Sequence, residues 1–328
     1  MKTIYVSQID DYLGNAIEED FYLKSISSSM TTKSNIPYYI LSLYDKTGEI
    51  IGRIWDKNMD SSIENLVNTI VHIEGEILKN SRGETEVVIS HIDSADNYLI
   101  DDFLQSIPID LQNKYYDALL RMVQQIDNPM YKILIEKIID RYSLLLKDAP
   151  LSPCSVGNYN GAVLVQLVSI TSISVQILRS HNTLSYPKYD EMCKLNEDLV
   201  ITGSILSSIG DIKIYTPFPG ARKCQQAYLL GSEDFCIQIL EESIDKDNLY
   251  FTEYERSVLY NIIHTVHNNT LCPRIREAAI IQSAREIYTS LSNMDMIYHK
   301  KAKSQGSFYF PESIFYKGGK NESSNTNS

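Results

Sequence analysis

The chain is short of the residues that extracellular, membrane-spanning and strongly basic proteins rely on. Its five cysteines (Cys154, Cys193, Cys224, Cys236 and Cys272) are scattered, with no Cys-x-x-Cys. An odd, dispersed count argues against a disulfide framework or a zinc site and for reduced thiols used as small apolar filler. No uninterrupted apolar run approaches the roughly 18 residues of a membrane span. The start, MKTIYVSQIDDYLGNAIEED, turns acidic early and does not read as a signal peptide. Cytoplasm is therefore the expected compartment. No Walker A, G-x-S-x-G or dinucleotide fingerprint occurs. Gly220 follows Pro217-Phe218-Pro219, and prolines lack the amide donors of a phosphate-cradling loop, so a plain turn is expected there.

Positive charge is also scarce. Lysine and arginine number 30 against 42 aspartate and glutamate, a net charge of −12. That excludes tight, non-specific attachment to duplex DNA, which a basic surface drives. It leaves room for a local groove that holds a single strand, where stacking on aromatic rings shares the work. Tryptophan is reduced to Trp55, but tyrosine occurs 23 times.

What is present points to an α+β chain long enough, at 328 residues, for two domains. Residues 1–20 read as a leader without clear periodicity. Strand patterns follow over 21–28, 38–44, 49–55, 69–78 and 84–92. A polar loop spans 27–37. Asp45-Lys46-Thr47-Gly48 is a hairpin signal, with Gly48 expected to supply a positive φ. A short helix is expected over 60–67. Five strands with a helix between the third and fourth is the order of an OB-fold barrel, expected over 21–93. Helical spacing then takes over: a connector across 94–150, with helices at 110–125 and 129–146 broken by Asn128-Pro129. A helical domain follows across 151–300, with helices at 160–180, 189–208, 232–244, 252–267 and 273–296. Residues 301–328 form a tail whose end, GGKNESSNTNS, has the composition of disorder.

Order and spacing together resemble the YhaM-type 3′→5′ exoribonucleases, an OB barrel followed by an HD-type phosphohydrolase domain. YYILSLYDKTGEIIGRIWD (38–56) is similar to that family's second and third barrel strands. The segment around Asn128 and GNYNGAVLVQLVSITSISVQI (157–177) follow its helical pattern. The resemblance covers roughly 21–296. It implies a five-stranded OB-like β-barrel followed by an all-helical HD-like domain, and a metal-dependent nuclease using manganese or magnesium.

At the positions the resemblance would make metal ligands, this chain departs from the family. The paired histidines of the first helix fall at Val156 and Gly157, and the next histidine at Gln166. The His-Asp pair ending the buried helix before the tight turn at Gly210 is Ser207-Ser208, and the following lysine is Asp211. The later Gly-His reads Gly231-Ser232. Of a Ser-His-His-Gly only His267 stands, and the last His and Asp positions are Gln282 and Arg285. Hydroxyls and amides are weak neutral ligands, and Arg285 brings a cation where a cation must bind. The expectation is a degenerate site (Gln166, Ser207, Ser208, His267, Arg285) with no catalytic residue, metal or cofactor. The alternative is an active metal phosphodiesterase with a shifted ligand set, Asp211, His264, His267 and Glu277. His264 and His267 lie three apart on one helix face, but further ligands are not evident nearby.

On the barrel, alternation over 49–55 puts Ile50, Gly52 and Ile54 inward and Ile51, Arg53 and Trp55 outward. An arginine beside an aromatic suits a single-strand platform: a flat surface for a base and a cation for phosphate. Lys24, Lys33, Tyr39, Lys57, Lys79 and Arg82 are the expected flanking residues. Glu74, Glu76, Glu84 and Glu86 weigh against it, and Trp55 packed on the helical domain is the bland reading. The expected partner is single-stranded RNA or DNA. A protein partner and a homo-oligomer stay open.

Overall fold

The computed structural model describes residues 2–316 apart from 31–36, 56–62, 82, 105, 153–156, 185–193, 217–220, 269–271, 302–306 and 311–312. Five strands close into a barrel: β1 (Ala16–Met30), β2 (Pro37–Asp45), β3 (Gly48–Trp55), β4 (Thr69–Lys79) and β5 (Thr85–Ser94), in the order β1-β2-β3-β5-β4 and back to β1. All neighbours are antiparallel except β3 and β5. This is the OB-like barrel expected from the strand pattern.

One long strand makes the closure. Ala16 to Leu23 of β1 pairs with β4, while Tyr22 to Met30 pairs with β2. A bulge between Leu23 and Ser25 bends the strand from one partner to the other. Phe21, Leu23, Leu41, Leu43, Ile54, Ile73, Ile77, Val87 and Ile89 fill the interior. Gly75 marks a second bulge, where a Cβ would stand 2.4 Å from the Val88 carbonyl oxygen.

Three expectations are corrected here. Residues 1–20 are not a leader: 16–20 belong to β1, and Val6–Tyr12 forms a 3₁₀ turn fastened to the barrel. Gly48 has no positive φ. Asp45 shapes that turn instead, its Oδ1 accepting from Thr47 N (2.7 Å) and Thr47 Oγ1 (2.6 Å). In the helix expected over 60–67, the described part is one 3₁₀ turn, Ile63–Leu66.

Among the described residues, seven helices follow: α1 (Ile109–Val123), α2 (Pro129–Asp148), α3 (Ala162–Leu184), α4 (Glu197–Ile209), α5 (Ser232–Lys246), α6 (Glu253–His267) and α7 (Arg276–Lys301). Every residue of α4 from Leu199 to Ile209 is buried. The other helices pack around it, and α1 and α2 share one hydrophobic core with α3 to α7. α3 is long and apolar enough, by length and composition, to cross a membrane; most of it is buried within this core. Short strand pairs interrupt the helical pattern, β6 (Tyr215–Thr216) with β7 (Arg222–Lys223) and β8 (Ser307–Phe310) with β9 (Ser313–Tyr316). The second pair lies in the segment read as a tail. Cys224, Cys236 and Cys272 are free thiols. Cys154 and Cys193 lie outside the described residues.

Candidate functional site

The β2–β3 hairpin sets the geometry of the barrel's outer face. Its two-residue turn pairs Tyr38 with Trp55 and Ile40 with Arg53. Directly paired residues share a face, so Tyr38, Arg53 and Trp55 stand together. The Tyr38 and Trp55 ring centroids are 5.6 Å apart at 58°. The Arg53 guanidinium carbon lies 4.8 Å from the Tyr38 ring centroid. Inward and outward residues of β3 fall as the alternation predicts, with Arg53 and Trp55 half-buried rather than fully exposed.

Glu86 holds Arg53 in place. It sits on β5 beside Ile51, is 4% exposed, and accepts from Arg53 Nη2 at 2.9 Å. Arg53 Nε is buried without a hydrogen-bond partner. Lys24, at the β1 bulge, donates to Tyr44 Oη at 3.1 Å on the same hairpin, and Tyr44 Oη donates to Glu49 at 2.5 Å. Lys79 is exposed at the end of β4. Lys33, Lys57 and Arg82 lie outside the described residues.

Tyr39 is a correction: it packs on the barrel interior, and Tyr38 takes the outer position. The signal was available. A two-residue turn at Lys46-Thr47 places residue 38, not 39, opposite Trp55. Of the acidic residues that weighed against this face, only Glu86 touches it. Glu84 closes the β4–β5 loop through Asn80, and Glu74 pairs with Glu18 and His91 across β1, β4 and β5. There His72 Nδ1 lies 2.7 Å from Asp20, a hydrogen bond that raises the histidine's pKa. The barrel therefore presents an aromatic hairpin on β2–β3 and an acidic surface on β1–β4–β5.

The second constellation forms at the C-terminal end of α4. The structure brings Gln166, Ser207, Ser208, His267 and Arg285 together around Asp211. Asp211, from the 3₁₀ turn Gly210–Lys213, is the centre. It accepts from Gln166 Nε2 at 2.6 Å and pairs with Arg285 Nη2 at 3.4 Å. Arg285 Nη1 donates to the Ser207 carbonyl at 3.3 Å and faces Ser208 Oγ at 3.5 Å. His267 Nε2 donates to the same carbonyl at 2.7 Å. A guanidinium here meets the negative end of the α4 dipole and its unpaired carbonyls. Arg285, His267, Gln282 and Thr289 line a cleft of about 550 Å³.

Gly210 is required here for space, not for a left-handed turn. Its φ is −62°, and a Cβ would stand 2.2 Å from the Ser232 carbonyl oxygen. That closeness lets Gly210 N donate to Cys236 Sγ at 3.2 Å. Burial, then the charge of Asp211, pushes the Cys236 thiol up to about 12, so it stays protonated. Burial, then Arg285, lowers the His267 pKa and keeps that ring neutral.

These donors do not suit a divalent ion. Asp211 is the one carboxylate at the centre of the cluster, and an amide and a guanidinium already occupy it. The His267 nitrogen facing the centre donates a proton to a carbonyl, and Arg285 fills the position with positive charge. The shifted set is not assembled either. His264 is bound to Glu233, and Glu277 accepts from Asn196 N at the start of α4. Asp211 lies beyond the other end of that thirteen-residue helix, about 20 Å away. Among the described residues no group of three or more His, Cys, Asp or Glu side chains is arranged to hold a metal.

No family model matches the chain. It is similar along most of its length to 3′-5′ exoribonucleases YhaM. The Bacillus subtilis protein is 22% identical over 291 residues, 86% of this chain and 88% of that protein. The Bacillus licheniformis protein is 24% identical over 285 residues, 84% of this chain and 86% of that protein. The resemblance drawn from the barrel strands and the helical pattern is thus met over most of the chain, at low identity. Among solved structures, an SSB domain from Synechococcus matches 24% of this chain and 92% of that domain at 14% identity and a TM-score of 0.20, too low to carry weight.

Proposed function

We propose that the chain binds single-stranded nucleic acid, RNA or DNA, on the β2–β3 face of the barrel, and that its helical cleft carries out no metal-dependent hydrolysis. The observation that carries the first half is the Tyr38–Arg53–Trp55 cluster. OB barrels bind oligonucleotides on strands 2 and 3 and on the loops that flank them. Lys33 and Arg82, which lie in sequence between β1 and β2 and between β4 and β5, belong to the same proposal. Neighbouring aromatic rings with an arginine beside them suit bases of any sequence. Similarity to proteins named exoribonucleases supports a nucleic-acid ligand. For the second half, the support is Arg285 in the centre of the cleft, with Asp211 and His267 committed to other partners. A cytoplasmic place of action fits the free thiols and belongs to the same proposal.

Trp55, as the only tryptophan, reports directly. A titration with a single-stranded oligonucleotide is expected to change its fluorescence. Tyr38→Ala is expected to weaken binding about tenfold, one stacking contact's worth. An unchanged spectrum throughout the titration overturns the platform. For the cleft, labelled single-stranded RNA with Mn²⁺ or Mg²⁺ is expected to keep its length. Trimming from the 3′ end that stops on chelation overturns the silent reading.

The second reading, an active metal-dependent phosphodiesterase, draws on the names of the similar proteins. It predicts stoichiometric manganese, iron or zinc in the purified protein.

A further inference from the structure

The guanidinium of Arg53 is not a free cation. Glu86 takes up its charge at 2.9 Å, and with the carboxylate nearly all buried (its side chain 6% exposed, that of Arg53 27%) water screens the pair little. The same contact holds the guanidinium over the Tyr38 ring at 4.8 Å, and that ring continues to Trp55 at 5.6 Å. The result is a row of three flat groups with almost no net charge, on a chain whose net charge is −12.

We infer that Glu86 is a positioning and specificity-determining residue. It neutralises Arg53 and turns it into a stacking surface, so that this face holds a single strand by its bases and not by pairing Arg53 with a phosphate. The inference rests on the reading of the β2–β3 face as a single-strand platform. It accounts for a carboxylate within a proposed nucleic-acid interface, which would otherwise repel phosphate. It also names the feature recognised: unpaired, accessible bases. A duplex, whose bases are already stacked, offers this face nothing.

Salt dependence separates the two modes. Each phosphate neutralised on a single strand adds about 0.7 to the slope of log K against log salt. The experiment is fluorescence-anisotropy titration of a labelled single-stranded oligonucleotide across a salt series, for the full chain and two variants. Glu86→Gln keeps an acceptor for Arg53 but frees its charge. Its slope is expected to steepen by about 0.7, with tighter binding at low salt. Arg53→Gln is expected to bind more weakly with an unchanged slope. An unchanged slope in E86Q, or a slope shallower by about 0.7 in R53Q, shows Arg53 already on a phosphate and overturns the inference while the platform stands. No binding by the unmodified chain overturns both. If E86Q does not fold, R53Q decides alone.

Discussion

Arg285 and Asp211 hold the centre of the helical cleft, and at the residue scale their pairing makes a direct prediction. Their side chains are 22% and 9% exposed. Arg285→Ala leaves a nearly buried carboxylate with only Gln166 to satisfy it. The expected cost is on the order of 3 kcal/mol, read from urea unfolding. Two histidines respond to pH with opposite sign. The folded-state pKa of His72 is raised above its ordinary 6.5 by its bond to Asp20. Its contribution is fully present below that value and is lost as pH rises through the folded pKa. The folded-state pKa of His267 is lowered by burial, so the unfolded chain binds the extra proton first, and stability falls as pH drops below 6.5. Unfolding midpoints between about pH 5 and 8 are expected to show His72→Gln losing stability at the acid end only. His267→Gln is expected to flatten the acid-side decline. The residues of the cleft could be named one by one only because the family resemblance gives each a position in the chain. Their mutual bonds were not legible, since Gln166, Asp211 and Arg285 come from three segments more than forty residues apart.

Elements carry the next layer. Asn128 caps α2, its Oδ1 accepting from Met130 N at 2.9 Å, with Pro129 in the first turn. Asp198 in the first turn of α4 accepts from Asp127 N at 3.0 Å and Asn128 N at 2.8 Å. One carboxylate thus fastens the α1–α2 corner to the central helix. Asn128→Ala is expected to cost about 1 kcal/mol. Gly210→Ala forces α5 away from the end of α4 and is expected to cost about 3 kcal/mol, visible as a lowered melting temperature. Most helix positions were read within a few residues because their apolar period and caps are local; the helix expected over 189–208 is the exception, since α4 begins only at Glu197, where Asn196 caps it. The β2–β3 turn was placed correctly, but the φ of Gly48 was misjudged, because its conformation follows from Asp45 and from Val6, whose Cγ1 lies 3.2 Å from where a Gly48 Cβ would be. Pattern alone carries no trace of that contact.

At the scale of the whole molecule, the first residues strap the barrel's strands to the turn around Asp102 that follows β5. Lys2 lies 3.5 Å over the Phe21 ring, donates to the Asp20 carbonyl at 2.5 Å and stands 3.6 Å from Asp45. Glu19 accepts from Thr3 N, Thr3 Oγ1 and Ile4 N. Tyr5 and Lys46 meet on Asp102, next to Phe103, which packs with Tyr22 and Ile70. Glu19→Ala is expected to release this strap, seen as new protease cleavage within residues 2–12 while the helical core stays protected. Alternation and helical period, both properties of neighbouring residues, were enough to determine a five-stranded barrel ahead of a helical core, and the inward set on β3. The tertiary structure alone decided that Arg53 is neutralised by Glu86, that Tyr38 and not Tyr39 joins Trp55, and that Asp211 is bound by an arginine. Those pairings join segments far apart in the chain, and which charges meet depends on how strands and helices close on one another in space.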